Sequence, residues 1–435
     1  MNVLGNKIKS LRKEKNITQE QLAKGVVTRG YISQIEKGLV VPSRKILKKL
    51  SEKLEVEEQD LFEEQMDSVE YQLGLTRTLK SLEYAVQTGE YESASQLLTE
   101  LNRHINQFTD QEVAIFYFCY GKYVENEKKD EITAIDYYIK SFNLLKNTEL
   151  IQEKIRTLNH LIRLLIKLNK LREAFNYLDT AYDDSIFYKV SGEEKINLLM
   201  NMGVGHAKSG EYYSAIRHLK QVIQLSNEIN LYNNLGITYM VLGLCYRRIE
   251  YFEQSKDSYE QALHFFIIIK DDLNRAGTLT NLGVLSRYTK EIHKSKEYLL
   301  SAKSIYEILS DQEGLLNVLY ELGVTSFALK EFEDVKHYHK IFISLNSNST
   351  DVNLQIIYKF HVLLGDLNLE LRVYDKAVQE YKEGFNIIKN KTETEKEKEE
   401  LKSLIVKLIR VYCLTKDERK FEAVSLLEIC NKILS

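Results

Sequence analysis

Proline is almost absent from this sequence. The 435 residues include one proline, Pro42, and the 393 residues after it contain none. Proline inside a helix costs about 3 kcal/mol, whereas sheet proteins use it freely in their loops. Apolar residues also recur at spacings of three and four, as between Leu158 and Leu168, and strict alternation is rare. These observations disfavour a sheet protein and predict an all-α fold of closely spaced helices.

Cysteine pairs and long apolar runs are missing as well. The four cysteines are far apart and form no C-x-x-C pair; they are Cys119, Cys245, Cys413 and Cys430. This pattern argues against a disulfide framework or a zinc ribbon and predicts reduced, buried thiols. The longest apolar run, Val113 to Tyr120, has eight residues, where a membrane span needs about 18, and the N-terminus has no apolar signal core. We expect a cytoplasmic protein that makes no membrane contact.

A catalytic set is also lacking. The nine histidines form no H-E-x-x-H motif, and His337 and His339 are two apart and face different ways on a helix. The stretch GVGHAKSG, which starts at Gly203, is superficially like a phosphate loop but lacks the G-K-[ST] order and a preceding strand. We therefore expect no enzyme activity, no metal and no cofactor.

The net charge of -3 conceals an uneven distribution. Residues 1–56 carry thirteen Lys or Arg against five Glu, a local charge of +8, so the remaining 379 residues carry -11. Charge separated in this way indicates a basic head on an acidic body.

The body repeats itself with a period of about 40 residues. Five glycines occupy one position of the repeat: Gly203, Gly243, Gly283, Gly323 and Gly365. Twelve residues after each comes a mostly small residue: Ala215, Ser255, Ser295, Val335 and Ala377. Leu161 and Gly121 extend the first register backwards, and Ala94, Ala134 and Ala174 extend the second. This spacing predicts about nine helical hairpins from residue 67 onwards, with small residues where the two helices cross.

These hairpins resemble tetratricopeptide repeats. The first helix has L-G-x-x-Y and the second has aromatic and alanine positions: Leu242, Gly243 and Tyr246, then Tyr251, Tyr259 and Ala262. The period is longer than the usual 34 residues of that repeat, which implies longer helices. The resemblance implies a right-handed α-solenoid whose first helices line a groove.

The basic head contains a helix-turn-helix pattern in the segment TQEQLAKGVVTRGYISQIEKG. Thr18 can cap a short helix whose Leu22 faces inwards, and Ile32 and Ile35 of a second helix, about 28–37, face the same core. The head resembles the Xre or phage-repressor type of DNA-binding domain over roughly residues 1–62, although its turn lacks the usual glycine and is one residue shorter. We expect a linker helix and the start of the first repeat at 63–88, and the repeat domain at 89–435.

The second helix of this motif is the expected DNA-reading element. Residues at the start of such a helix reach base edges in the major groove, and flanking groups hold phosphates. The predicted DNA-binding residues are Gln19, Thr28, Arg29, Gly30, Tyr31, Ser33 and Gln34. Because one short helix reads only a half-site, we expect a homodimer or higher homo-oligomer on a palindromic operator in double-stranded DNA. A vestigial interaction domain is the alternative.

The groove of the body carries asparagines that fit an extended peptide. On a tetratricopeptide hairpin the residue two before this repeat position faces the groove. Counted at Leu161, Gly203, Gly243, Gly283 and Gly323, three of the five such residues are asparagine: Asn159, Asn201 and Asn281. A carboxamide both donates to and accepts from a peptide backbone. The predicted peptide-binding residues are Asn159, Asn197, Asn201, Arg247, Arg248, Asn281, Arg287, Asn317, Tyr320 and Glu321. Alternatively, the asparagines bridge neighbouring helices, and Tyr320 packs between repeats.

Head and body together resemble the RRNPP family of Gram-positive quorum-sensing receptors, in particular its NprR and PlcR branches. The resemblance implies a cytoplasmic transcriptional regulator whose repeats bind a short imported signalling peptide that alters DNA binding or oligomeric state. A second hypothesis is a Rap-like effector whose repeats bind a phosphorelay response regulator and inhibit it or promote its dephosphorylation. A third is a simple scaffold, which would bind neither a small ligand nor specific DNA.

Overall fold

The computed structural model describes residues 3–56, 61, 63–346, 354–389 and 395–414. Every regular element in these ranges is a helix, which confirms the predicted all-α fold. The chain separates into two compact units, Met1–Leu168 and Asn169–Ser435.

Four helices form the head at the start of the first unit. They are α1 Val3–Glu14, α2 Gln19–Ala23, α3 Arg29–Glu36 and α4 Arg44–Leu54. Their apolar faces and Leu61, which follows α4, meet in one buried cluster: Ile8, Leu22, Ala23, Ile32, Ile35, Leu47, Leu50, Leu54 and Leu61. The predicted inward positions of Leu22, Ile32 and Ile35 are therefore confirmed.

Local hydrogen bonds fix where the two helices of the helix-turn-helix begin. Thr18 forms a capping box with Gln21 at the start of α2, and the Thr28 hydroxyl accepts from the Tyr31 amide at the start of α3. The expectation that the turn lacks a glycine was wrong. Gly25 lies in this turn with φ 77°, in the left-handed region that glycine tolerates without steric cost.

The rest of the first unit is a run of longer helices. They are α5 Glu63–Thr88, α6 Tyr91–Asn102, α7 Asp110–Tyr123, α8 Glu131–Leu145 and α9 Ile151–Lys167. A single π-helical turn, Val124–Lys128, follows α7 directly. Consecutive helices pack against each other, as the hairpin pattern predicts.

The second unit continues the hairpin pattern, in which a first helix such as α11 is followed by a second helix such as α12. Its helices are α10 Leu171–Phe187, α11 Glu193–Ser209, α12 Tyr212–Ile229, α13 Leu235–Arg248, α14 Phe252–Ile268, α15 Asp272–Tyr288, α16 Ile292–Leu309, α17 Gln312–Ala328, α18 Phe332–Asn346, α19 Leu354–Glu370, α20 Tyr374–Ile388 and α21 Glu395–Leu414. The turns are short because single residues with positive φ end several helices, among them Glu250, Lys270, Lys290, Ser310 and Lys330.

The repeat glycines lie where the two helices of a hairpin cross. A Cβ on Gly203 would come within 2.6 Å of Leu219 Cδ2, and a Cβ on Gly283 within 2.6 Å of Leu299 Cγ. Gly323 differs, because its nearest neighbour, at 3.1 Å, is Leu363 of the next first helix. The small residues twelve positions later are fully buried: Ala215, Ser255, Ser295, Val335 and Ala377. The predicted close packing within a hairpin is therefore confirmed for Gly203, Gly243, Gly283 and Gly365 and for the buried small residues, and it was wrong for Gly323.

The thiols are only partly as expected. Cys119 and Cys245 are buried, and burial raises the pKa of each to about 12. Cys413 is exposed, against the expectation, because it lies in the last turn of α21. Cys430 lies outside the described residues.

Candidate functional site

The candidate DNA interface is the exposed side of α3. Thr28, Arg29, Gly30 and Gln34 are exposed, and no atom lies within 4 Å of where a Cβ on Gly30 would stand. The open space at Gly30 allows close approach of another molecule at the start of the helix. Of the other predicted DNA contacts, Tyr31 and Ser33 are half-buried, and Tyr31 packs against the core of the head.

A polar network behind α3 connects it to the two preceding helices. Arg12 Nε pairs with Glu36 Oε1 at 2.6 Å, and Gln19 Nε2 donates to Glu36 Oε2 at 2.8 Å. Burial would raise the pKa of the Glu36 carboxyl, but the hydrogen bonds from Arg12 and Gln19 lower it. Gln19 was predicted to contact DNA. In the structure its side-chain amide donates to the Glu36 carboxylate inside the head.

The predicted peptide-binding residues lie on first helices, but not in one unit. Asn159 is buried on α9 in the first unit. The other nine lie on α11, α13, α15 and α17 of the second unit: Asn197, Asn201, Arg247, Arg248, Asn281, Arg287, Asn317, Tyr320 and Glu321. We call the surface formed by these four helices the first-helix face.

The asparagines of this face differ in what they bind. Asn197 Oδ1 accepts from Asn234 Nδ2 at 2.8 Å, so this pair connects α11 to the start of α13. Asn201 is buried. Asn281 is half-buried and Asn317 is exposed, and neither has a hydrogen-bond partner among the described residues. The bridging role thus applies to Asn197, and the two asparagines of α15 and α17 are available to a ligand.

Arg287 and Glu321, both predicted as ligand contacts, bind each other. Arg287 Nη2 lies 2.6 Å from Glu321 Oε2, and Arg287 Nη1 donates to Thr325 Oγ1 at 3.1 Å. The pair connects α15 to α17, and both side chains are less than one fifth exposed. Thr325 was not predicted, although it lies 38 residues after Arg287 and thus nearly one period away.

Arg247 occupies the position of Arg287 in the preceding repeat but has no such partner. Its Nε is buried and makes no hydrogen bond among the described groups. The guanidinium lies 5.8 Å from the centre of the exposed Tyr288 ring, a cation–π distance. It also lies beside Tyr259: burial raises the pKa of that phenol, and the charge on Arg247 and a hydrogen bond with Arg247 oppose the rise. Its neighbour Arg248 is exposed.

Tyr320 is part of the packing between repeats. Its ring meets Phe360 edge-on at a centroid distance of 5.5 Å, and burial raises its pKa to about 12. It lies against the apolar cluster that includes Phe360 and Leu363. This environment favours the structural alternative for Tyr320.

A polar cluster that the sequence pattern did not identify lies in the first unit. The π-helical turn carries Glu125, whose carboxylate pairs with Arg163 and accepts from Tyr138 Oη at 2.8 Å. Burial would raise the pKa of Glu125, but His160, the Arg163 charge and the Tyr138 hydroxyl lower it to about 2. The cluster joins three consecutive helices of that unit, and we assign it a structural role.

No predicted contact residue lines the wide cavity of about 1050 Å³ in the first unit. It is bordered by Tyr91, Tyr123 and Glu127 and is open to solvent. Within the described ranges, no group of three or more His, Cys, Asp and Glu side chains is arranged to hold a metal ion. No described helix combines the length and the apolar character that crossing a membrane requires.

Two family models match parts of this sequence. A helix-turn-helix model matches residues 8–61, and a tetratricopeptide repeat model matches residues 231–263, which include most of the α13–α14 hairpin. No curated protein sequence matches the chain.

Three solved structures show the same fold at low sequence identity. The apo form of the quorum sensor NprR from B. thuringiensis is 15% identical, covers 84% of this chain and 100% of its own, and has a TM-score of 0.61. NprR in complex with its cognate peptide NprX is 15% identical over 82% of this chain and 99% of its own, with a TM-score of 0.56. The apo form of RapI is 12% identical over 83% of this chain and 97% of its own, with a TM-score of 0.60. The chain therefore combines a helix-turn-helix head with tetratricopeptide repeats in the fold that NprR and RapI share.

Proposed function

We propose that this protein is a peptide-responsive transcriptional regulator of the RRNPP type. Its head binds operator DNA through α3, and its first-helix face binds a short imported signalling peptide that changes the DNA binding or the oligomeric state of the heads. It works in the cytoplasm and acts by binding, with no catalytic step or cofactor. The likeness to NprR supports the proposal, because that fold binds the peptide NprX in NprR.

The observation that carries the proposal is that the side chains of Asn281 and Asn317 are not engaged in hydrogen bonds within the described part of the chain. They lie on the neighbouring first helices α15 and α17 and have no hydrogen-bond partner among the described residues. A carboxamide on a helix surface can donate to and accept from an extended backbone, independently of the side chains of that backbone. Two such groups in adjacent repeats therefore suit a short peptide better than a folded partner.

The head supports the DNA-binding half of the proposal. Arg29 and Gly30 are exposed at the first turn of α3, and the head carries the basic surplus of the chain. We propose domains at 1–62 for the head, 63–88 for the linker helix and the start of the first repeat, and 89–435 for the peptide-binding repeats. Because one α3 reads a half-site, the active form is a homodimer or higher homo-oligomer on a palindromic operator.

Native mass spectrometry tests the peptide half. The full-length protein is purified from its own host and from a host that secretes no such peptides. We expect a mass increment of one short peptide per chain in the first preparation alone, and a variant lacking residues 1–62 should retain it. Absence of any increment in both preparations contradicts the receptor proposal.

DNA selection tests the other half. The same full-length protein is incubated with a random duplex pool, and the bound fraction is sequenced. We expect a two-fold symmetric motif, with log affinity that falls by about 0.9 per neutralised phosphate for each unit of log salt. Recovery of unselected sequence contradicts a regulator.

Binding to a phosphorelay protein tests the Rap-like hypothesis. No described residue of the first-helix face favours a response regulator over a peptide. A stable complex with a phosphorelay protein that persists after deletion of residues 1–62 would support that role.

A further inference from the structure

Neighbouring first helices of the second unit meet at two fixed positions of the repeat. The ion pair between Arg287 and Glu321 joins the residue four after one repeat glycine to the residue two before the next repeat glycine. Three of the four junctions between α11, α13, α15, α17 and α19 have matched residue types at these two positions: Ala207 with Val241, Arg287 with Glu321, and Phe327 with Leu363. The first and third pairs each share an apolar cluster, and the second is the ion pair between α15 and α17.

The fourth junction, between α13 and α15, has mismatched chemistry. Here the register places Arg247 against Asn281, which is neutral. Thr325, the second acceptor of Arg287, corresponds to Leu285, which is apolar and buried. Both junctions therefore have an arginine at the same repeat position. Arg247 lacks the carboxylate and the hydroxyl oxygen that bind Arg287.

The contacts of Arg247 agree with this comparison. Its Nε is buried without a hydrogen bond, and its nearest recorded partners are the Tyr288 ring and the Tyr259 phenol, neither of which carries a negative charge. Asn281 is half-buried and without a partner among the described residues. With only a neutral phenol and a ring beside it, the charge of the half-buried guanidinium has no anionic partner among the described residues. A carboxylate supplies one with two parallel hydrogen bonds.

We infer that Arg247 binds a carboxylate of the ligand, which takes the place that Glu321 occupies beside Arg287. This inference rests on the proposed function, since it names a chemical group of the peptide. The Asn281 amide donates to the same carboxylate, and the Tyr288 ring holds the guanidinium in position. Arg287 has no such role, because Glu321 and Thr325 already satisfy it. The carboxylate comes from the C-terminus of the peptide or from an Asp or Glu side chain.

A selection experiment with defined probes tests the inference. The full-length protein is exposed to three synthetic heptapeptide libraries: one acid-free with a free C-terminus, one C-terminally amidated with a single Asp or Glu, and one amidated and acid-free. Retained peptides are counted by mass spectrometry. We expect the wild type to enrich one or both carboxylate-bearing libraries over the third by about tenfold to a hundredfold, the range for one charge-assisted hydrogen-bonded pair. The library that is enriched identifies the source of the carboxylate.

Variants separate this inference from the proposed function. Arg247→Gln should lose the preference, Arg247→Lys should keep part of it, and Arg217→Gln, which removes an exposed arginine on the second helix α12, should keep all of it. Equal retention of all three libraries by the wild type contradicts the carboxylate anchor and leaves the peptide receptor intact. Retention of none contradicts both.

A measurement without any peptide tests the same geometry. Asn281→Glu recreates the carboxylate of Glu321 at the α13–α15 junction and should pair with Arg247. We expect Asn281→Glu to raise the melting temperature, Asn281→Gln to leave it unchanged, and the rise to vanish in the Arg247→Gln background. No rise with Asn281→Glu would show that Arg247 does not face this position, which overturns the inference.

Discussion

Arg287 and Glu321 form an ion pair 2.6 Å long across two neighbouring first helices, at two positions that the repeat pattern assigns to a ligand. The pair fixes α15 against α17 and removes both charges from the surface available to a peptide. Comparison with this pair shows that Arg247, at the same position of the preceding repeat, has no carboxylate partner among the described residues.

Breaking this pair should destabilise the second unit. Because both side chains are less than one fifth exposed and Arg287 has a further acceptor in Thr325, Glu321→Gln or Arg287→Gln should each lower the free energy of unfolding by about 1–3 kcal/mol. The double variant should show a coupling energy of about 1 kcal/mol or more, measured by urea unfolding.

The exposed pair Lys294 with Glu291 is the control for that cycle. It is an i,i+3 pair on the surface, with both side chains about two fifths exposed or more, and its coupling should stay below about 0.5 kcal/mol. Equal coupling for the two pairs would contradict the bracing role of Arg287.

The repeat glycines give a second prediction. A Cβ on Gly283 would meet Leu299 Cγ at 2.6 Å and the Ser295 carbonyl oxygen at 3.2 Å. Gly283→Ala should therefore destabilise by about 1–3 kcal/mol, in spite of the better helix propensity of alanine. Gly277→Ala on the same helix has its nearest atom at 3.6 Å and should be neutral or stabilising by up to about 1 kcal/mol. Thermal unfolding of both variants makes the comparison, and a loss at Gly277 as large as at Gly283 would contradict it.

The sequence predicted the repeat architecture well and the partners of single polar side chains poorly. Packing positions such as Gly243 and Ser255 are determined by local spacing, so the period alone identifies them. Whether Arg287 is free depends on the residue 34 positions later, Glu321, and becomes clear only when adjacent first helices are placed side by side. Gln19 shows the same limit in the head, because Glu36 comes from another helix.

The Glu125 cluster makes stability depend on pH. The pKa of Glu125 is about 2 in the folded chain and 4.5 without its partners. The stabilisation is therefore complete above pH 4.5 and is lost as the pH falls towards 2. It amounts to about 3 kcal/mol. Glu125→Gln should reduce stability at pH 7, and its difference from the wild type should shrink as the solution is acidified.

Glu127→Gln serves as the control for the pH series. Glu127 is exposed on the same π-helical turn, so its difference from the wild type should be small at every pH. A pH-independent gap for Glu125→Gln would show that its carboxylate does not titrate as the cluster requires.

The exposed start of α3 predicts how the head binds DNA. Arg29→Gln should weaken binding to the selected operator by about tenfold to a hundredfold, while the affinity for random duplex falls less, because a base contact carries specificity. Gly30→Ala should weaken binding without loss of fold stability, since its Cβ meets no atom of the head. Electrophoretic mobility shift titrations provide the affinities. Glu52→Gln, on the exposed side of α4, should bind as the wild type does, and equal operator affinity for Arg29→Gln would rule out α3 as the reading helix.

The most direct test measures operator affinity with and without the peptide fraction of the spent culture medium of the host. We expect this fraction to shift the operator affinity of the wild type and to leave that of the Asn281→Ala/Asn317→Ala double variant unchanged. An equal shift in both proteins, or no shift in the wild type, would contradict the link between the first-helix face and the head.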